Sequence, residues 1–140
     1  MRDLFNEVAP KRCISPQSVA DNTALVGQII DRKGYESLTY LIATGSLGDA
    51  GAEFTVLLEE GDAANLSDAA AVADADLLGT EALASFIQSD DDKCFKLGYR
   101  GSKRYTRLTI TPTNNATAAL IGAIALLGDP ANAPTVNPPA

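Results

Sequence analysis

EGDAANLSDAAAVADADLLG, residues 60–79, is rich in Ala and Leu and holds no Lys or Arg, so intrinsic propensity alone would make it a helix. A helix here would mean a mixed domain, and an irregular crossing would leave an all-β one. Followed on to residue 88, its apolar positions are Leu66, Val72, Leu77, Leu78, Leu83, Phe86 and Ile87. These do not keep the spacing of three and four residues that a buried helix face requires. Asn65, Ser67 and Asp68 also compete for backbone hydrogen bonds and favour turns and caps. The segment therefore reads as a loop with a short helical turn at 67–71, a brief strand near 76–78 and a second short helix or strand at 81–88.

The flanks alternate instead. In YESLTYLIATG (35–45), Leu38, Tyr40 and Ile42 oppose Thr39, Leu41 and Ala43; in AEFTVLLEEG (52–61), Phe54, Val56 and Leu58 oppose Thr55, Leu57 and Glu59. Period two is the pattern of a pleated strand. NTALVGQII (22–30) ends at the turn DRKG. DKCFKLGYRGSKRYTRLTITPTNN (92–115) carries two β-rich runs joined by RGSK, which reads as a tight hairpin. ATAALIGAIALLG (116–128) completes the series as a meander strand buried on both faces. Strands are thus expected near 23–30, 36–44, 53–60, 93–99, 104–112 and 116–127, in an all-β antiparallel β-sandwich. Residues 1–20 mix Pro10, Pro16 and scattered charge and read as an extended N-terminal arm. Residues 21–128 form the sandwich domain, and 129–140 a Pro-rich C-terminal tail.

One core is the default for 140 residues, with 46% hydrophobic and 21% charged residues. The chain has no His, which removes the commonest general base, nucleophile activator and zinc ligand. No enzyme activity and no cofactor is read from it. Cys13 and Cys94 form no CxxC pair and read as two plain thiols, with a disulfide tying the N-terminal segment to the body as the alternative. The Asp62, Asp68, Asp74 and Asp76 set and SDDD (89–92) lack the spacing of a calcium loop. Adjacent Glu59 and Glu60 point to opposite faces of a strand and cannot flank one glycosidic bond. ATGSLGDAG (43–51) lacks the GK[ST] of a phosphate loop. The longest apolar run is too short for a bilayer, and MRDLFNEVAPKRC has no apolar run of signal-peptide length, so the chain reads as made in the cytoplasm with no membrane partner.

Charge is split along the chain. Glu53, Glu59, Glu60, Asp62, Asp68, Asp74, Asp76, Glu81 and residues 90–92 (DDD) meet no base before Lys93. Lys93, Lys96, Arg100, Lys103, Arg104 and Arg107 then meet no acid. With a net charge of −7, nucleic acid is excluded as the main partner, and opposed patches suit contacts between copies or with a charged protein surface. The candidate contact residues are Arg100, Lys103 and Arg104, together with Arg2, Leu4, Phe5, Val8, Lys11 and Arg12. The last six form an arm too apolar for a free tail, expected to reach a neighbour with Leu4 and Phe5 as anchors.

GQIIDRKGYESLTYLIATGSL, VLLEEGDAANLSDAAAVADADLLGTEA and KLGYRGSKRYTRLTIT, taken in order across residues 17–128, resemble the small head decoration or cement proteins of tailed bacteriophages, which are encoded near the major capsid protein. The resemblance implies a jelly-roll-like sandwich on the capsid exterior of a virion. It implies the major capsid protein as partner and a homo-oligomer, often a trimer, and it carries over no catalytic residues. A tail or adaptor role suits the same kind of module. A carbohydrate- or receptor-binding sandwich is the alternative, although no Trp and only 4 Tyr offer little for sugars to stack on.

Overall fold

The computed structural model describes residues 3–138, and they form two antiparallel sheets packed face to face. The first takes β1 (Val8–Val19), β4 (Tyr35–Leu47), β7 (Leu77–Leu78), β9 (Cys94–Tyr99) and β11 (Ala119–Pro130) in the order β1-β11-β4-β9-β7. The second runs β2-β10-β5-β6, from Leu25–Val26, Tyr105–Thr113, Glu53–Gly61 and Ala70–Ala71. Beside that path, β3 (Ile30–Asp31) pairs with β10 and β8 (Phe86–Ile87) with β5. The protein is an antiparallel β-sandwich, as the alternating runs require.

Alternation sets what the sheets bury. Leu38, Tyr40 and Ile42 from β4, Phe54, Val56 and Leu58 from β5, Leu108 and Ile110 from β10, and Ile121, Ala123, Ala125 and Leu127 from β11 all lie in one core. Each large side chain removed from water there contributes on the order of 2 kcal/mol before entropic costs. Inside it, Tyr40 Oη meets Thr106 Oγ1 at 2.6 Å, which keeps both hydroxyls satisfied. Phe54, Phe86 and Phe95 stack in a row, with centroids 4.9 and 5.5 Å apart. That row explains why residues 81–87 dock rather than float.

Residues 60–79 are not a helix. Leu66 N donates to Ala63 O, and Asp68 accepts from the backbone N–H groups of Asp62 and Ala63, so the turn-forming side chains win over Ala propensity. The expected helical turn at 67–71 is instead a turn followed by β6. The strand expected near 76–78 is β7, preceded by a 3₁₀ turn at Asp74–Asp76. The helix α1 (Glu81–Ala84) is one turn long, capped by Thr80 Oγ1 accepting from Leu83 N. It is followed by β8.

Five expectations are corrected. Residues 8–19 are extended but do not form an arm apart from the sandwich, since β1 pairs along its length with β11, from Val8 opposite Gly128 to Val19 opposite Ala119. RGSK is not a hairpin: β9 belongs to one sheet and β10 to the other, so residues 100–104 cross between them. β11 accordingly pairs with β4 and β1 rather than extending a meander from β10. Finally, β11 is buried on one face only, and Leu120 and Ile124 on the other are 46% and 41% exposed. The strand expected at 23–30 is also interrupted: Gly27 N donates to Leu108 O and Gln28 N to Cys13 O, so the chain bridges the two sheets between β2 and β3.

Because Ala9 and Cys13 of β1 are core residues and β1 covers one side of β11, deleting residues 2–12 should strip the backbone partners of residues 124–128. We expect the melting temperature to fall by 10 °C or more, at about 4 °C per kcal/mol for a chain of this size. A deletion variant that melts like the full chain would show that β1 contributes little.

Candidate interaction surface

The charge blocks that are separate in sequence meet in space. Lys103 Nζ lies 2.7 Å from Asp62 Oδ2, Arg107 Nη2 3.1 Å from Glu59 Oε1, and Lys93 Nζ 3.0 Å from Asp90 Oδ1. Arg104 grips both carboxylate oxygens of Asp31, at 2.8 and 2.9 Å, and lies over the Tyr105 ring. The antiparallel pairing of β5 with β10 places Glu59 opposite Arg107, and the crossing loop brings Lys103 to the β5 end. Of the three basic contact candidates in residues 100–104, two, Lys103 and Arg104, are thus already paired inside the chain. Arg100 is exposed, its backbone N–H donating to Asp76 O.

The other candidates are divided. Leu4 and Phe5 stand exposed, at 68% and 66%, beside the 3₁₀ turn Phe5–Glu7. The C-terminal segment ties that end down: Thr135 N donates to Asn6 O and Thr135 Oγ1 to Val8 O. Val8 and Lys11 are half-buried in β1, and Arg12 donates to Ser15 Oγ at 2.9 Å. Arg2 lies outside the described residues. Strand directions put Leu4, Phe5, Val8 and the 100–104 loop at one end of the sandwich, while Arg12 lies further along β1.

Carboxylates serve the backbone. Asp91 accepts from Leu47 N, Glu81 from Leu58 N, and Asp49 from Gly51 N and Ala116 N. Among the described residues no group of three or more acids, Cys or His is placed to hold a metal ion. Both cysteines are free. Cys13 lies in the core, where burial pushes its thiol up to about 12. Cys94 is exposed on the outer face of β9. Three strand spacings of about 4.8 Å separate β1 from β9, far more than the roughly 7 Å between Cα atoms that a disulfide tolerates.

Sequence reasoning missed a surface: the outer face of the five-stranded sheet. The register aligns Lys96, Leu41, Ile124 and Arg12 in one row across the strands, and Cys94, Ala43 and Gly122 in the next. Pro16 lies against Gly122, where an added Cβ would come within 3.2 Å of its ring. Leu120 leans across Gly45, where a Cβ would meet the Leu120 Cβ at 3.0 Å. The result is a furrow of about 650 Å³ over Ala43 and Gly122, walled by Leu41 and Ile124 on one side and Leu120 on the other. Its lining is mainly aliphatic and small, with Arg12, Gln17 and Ser18 of β1 also reaching it and no aromatic ring. The signal was present in the run 116–128, which is apolar at every outward position of β11.

No family model and no curated protein sequence matches the chain. Among solved structures, the chain is similar to the N-terminal CBM22-1–GH10 modules of endo-1,4-beta-D-xylanase 10B from Clostridium thermocellum, complexed with xylohexaose. That similarity has 10% identity and a TM-score of 0.43, and it covers 95% of this chain but 28% of that one. The chain therefore spans under a third of that protein, and no ligand carries over at that level of likeness.

Two outcomes follow from these environments. Asp31 is held below the ordinary carboxylate value of 3.8 first by its hydrogen bond from Arg104, and Asp68, Asp49 and Asp90 chiefly by backbone N–H donors. A depressed folded pKa contributes stability that is present above the unfolded value and lost as pH falls through the folded one. The melting temperature should therefore hold steady down to about pH 4 and fall below it, with a shallower fall in Asp31→Asn. An acid limb unchanged by that substitution would assign the effect elsewhere. In a thiol titration the native chain should expose one reactive group, Cys94, and release Cys13 only on unfolding; two fast thiols would contradict the burial of Cys13.

Proposed function

We propose that the chain is a non-catalytic structural module, a head decoration protein of a tailed phage that binds the major capsid protein lattice and stabilises it. The observation that carries the structural reading is how the chain spends its chemistry. Its acids and bases are largely committed to each other or to backbone caps, while a broad aliphatic sheet face stays uncovered. Exposed contiguous apolar surface of this kind marks protein contact. The capsid assignment rests on the ordered set of motifs at residues 27–47, 56–82 and 96–111.

The carbohydrate- or receptor-binding reading shares the same sandwich. It requires ring platforms for sugars, and Tyr40 and Tyr99 are core residues here.

The test is to mix purified protein with heads assembled from the major capsid protein of the phage that encodes it. Co-sedimentation should saturate at a fixed ratio and raise the temperature at which heads rupture. Absence of binding to mature heads would overturn the capsid assignment, and a saturable hit on a glycan array would favour the alternative.

A further inference from the structure

The outer face of the five-stranded sheet is not covered by any described segment, and its lateral neighbours limit how a partner can approach. β1 is the long edge of that sheet, and Pro10, Pro16 and register shifts between Arg12 and Gln17 interrupt its outward backbone. Gln28 N already occupies Cys13 O. An added strand would find few evenly spaced partners there, since Pro and bulges are how natural edges are blunted. On this side of the sheet the face, rather than the β1 edge, is left for association.

The relief of that face has a specific character. A ridge formed by Leu41 and Ile124 runs across β4 and β11, and the furrow over Ala43 and Gly122 lies one row away, at about 6.8 Å along the strands. Ridge and furrow adjoin on one surface. The charges follow the same order into β9: Asp92, in the turn just before the strand, whose N–H donates to Gly45 O, then Cys94, then Lys96. No ion pair involving Lys96 is formed among the described residues.

We infer that this face packs against the same face of a second copy, about a two-fold axis lying in the sheet plane, perpendicular to the strands and midway between the two rows. The operation exchanges the rows, so each copy's Leu41–Ile124 ridge fills the other's furrow. The contact is isologous and closes on itself. Along β9 it brings Lys96 of one copy over Cys94 of the other, one row from the second copy's Asp92 and within reach of a four-carbon side chain. Opposite charges then meet twice across the interface. An acyl chain or apolar peptide in the furrow would leave both ridges and the Lys96 and Asp92 charges unanswered, whereas a second copy answers these with its own counterparts; Arg12, in the same row, stays bonded to Ser15 of its own chain. The pair uses a surface distinct from the Leu4 and Phe5 end, and it stands whether or not the partner lattice is a phage head.

Sedimentation velocity on the full chain tests the pair. We expect a dimer at micromolar concentration. Ile124→Asp, on an exposed position, should weaken it about a hundredfold by placing a carboxylate in the apolar contact while circular dichroism and melting stay unchanged. Lys96→Glu should weaken it about tenfold, and adding Asp92→Lys to that variant should restore it. In the unmodified chain the two Cys94 residues would lie about 12 Å apart, given sheets packed about 10 Å from each other. A short bismaleimide should therefore join them, and Cys94→Ser should abolish the product. A wild-type chain that sediments as a monomer at high micromolar concentration would overturn the proposal. So would an oligomer indifferent to Ile124→Asp, a charge swap that fails to restore association, or absence of the Cys94 cross-link.

Discussion

The sandwich depends on how the chain passes from β9 in one sheet to β10 in the other, and one guanidinium holds that passage. Arg32 donates from Nε to Lys103 O at 2.8 Å and from Nη2 to Gly101 O at 3.1 Å, and its carbon lies 4.9 Å from the centre of the Tyr99 ring. A crossing loop carries carbonyls that no strand can pair, and a planar fork of donors satisfies two at once. Tyr99 completes the clamp: its hydroxyl donates to Glu60 on β5 and accepts from Lys103 N at 3.0 Å. The end of one sheet is thereby tied to the end of the other.

The same end explains why the linear charge split does not survive folding. Once residues 100–104 cross between the sheets, β10 runs back beside β5, and the basic block lies antiparallel to the end of the acidic one. Pairing within the chain follows from topology. Exposed pairs of this type are worth only about 0–1 kcal/mol each, so their main effect is to leave the surface near the crossing without a strong local field. The remaining acids include Asp74 and Asp92, which are exposed, and the half-buried Asp76, whose backbone carbonyl accepts from Arg100 N beside the crossing.

The strands were legible because alternation at 35–45, 52–61 and 104–112 has only one pleated reading, and the rejection of a helix at 60–79 was legible because its apolar positions lack a face. The membership of each strand was not. RGSK has the chemistry of a hairpin, and only the pairing of β9 with β4 and of β10 with β5 separates a hairpin from a crossing. That is a long-range fact that local turn residues do not encode. The N-terminal segment misled for a related reason: Pro10 and Pro16 suit an edge strand as well as a free arm, and its partner β11 lies more than 100 residues away. The contact residues assigned from sequence followed charge and the apolar side chains of the N-terminal segment, and only Arg12 among them borders the uncovered face, which appears when β11 and β4 are aligned.

An apolar run gives the same sequence signal whether its strand is covered on both faces or on one. β11 separates the two cases. Its inward set, Ala119, Ile121, Ala123, Ala125 and Leu127, is small enough at alternate positions to let the sheets close on Tyr40 and Leu58. Its outward set of Leu120, Gly122, Ile124 and Leu126 carries no charge to keep it in water. A solvent-facing strand in the middle of a sheet ordinarily alternates apolar with polar residues. Apolar residues at the outward positions of a central strand therefore leave a face that no described segment covers, and the second copy proposed above would be the layer that covers it. Because that layer meets aliphatic surface first and charge only at its margin, burial should dominate the association and salt should act on it weakly.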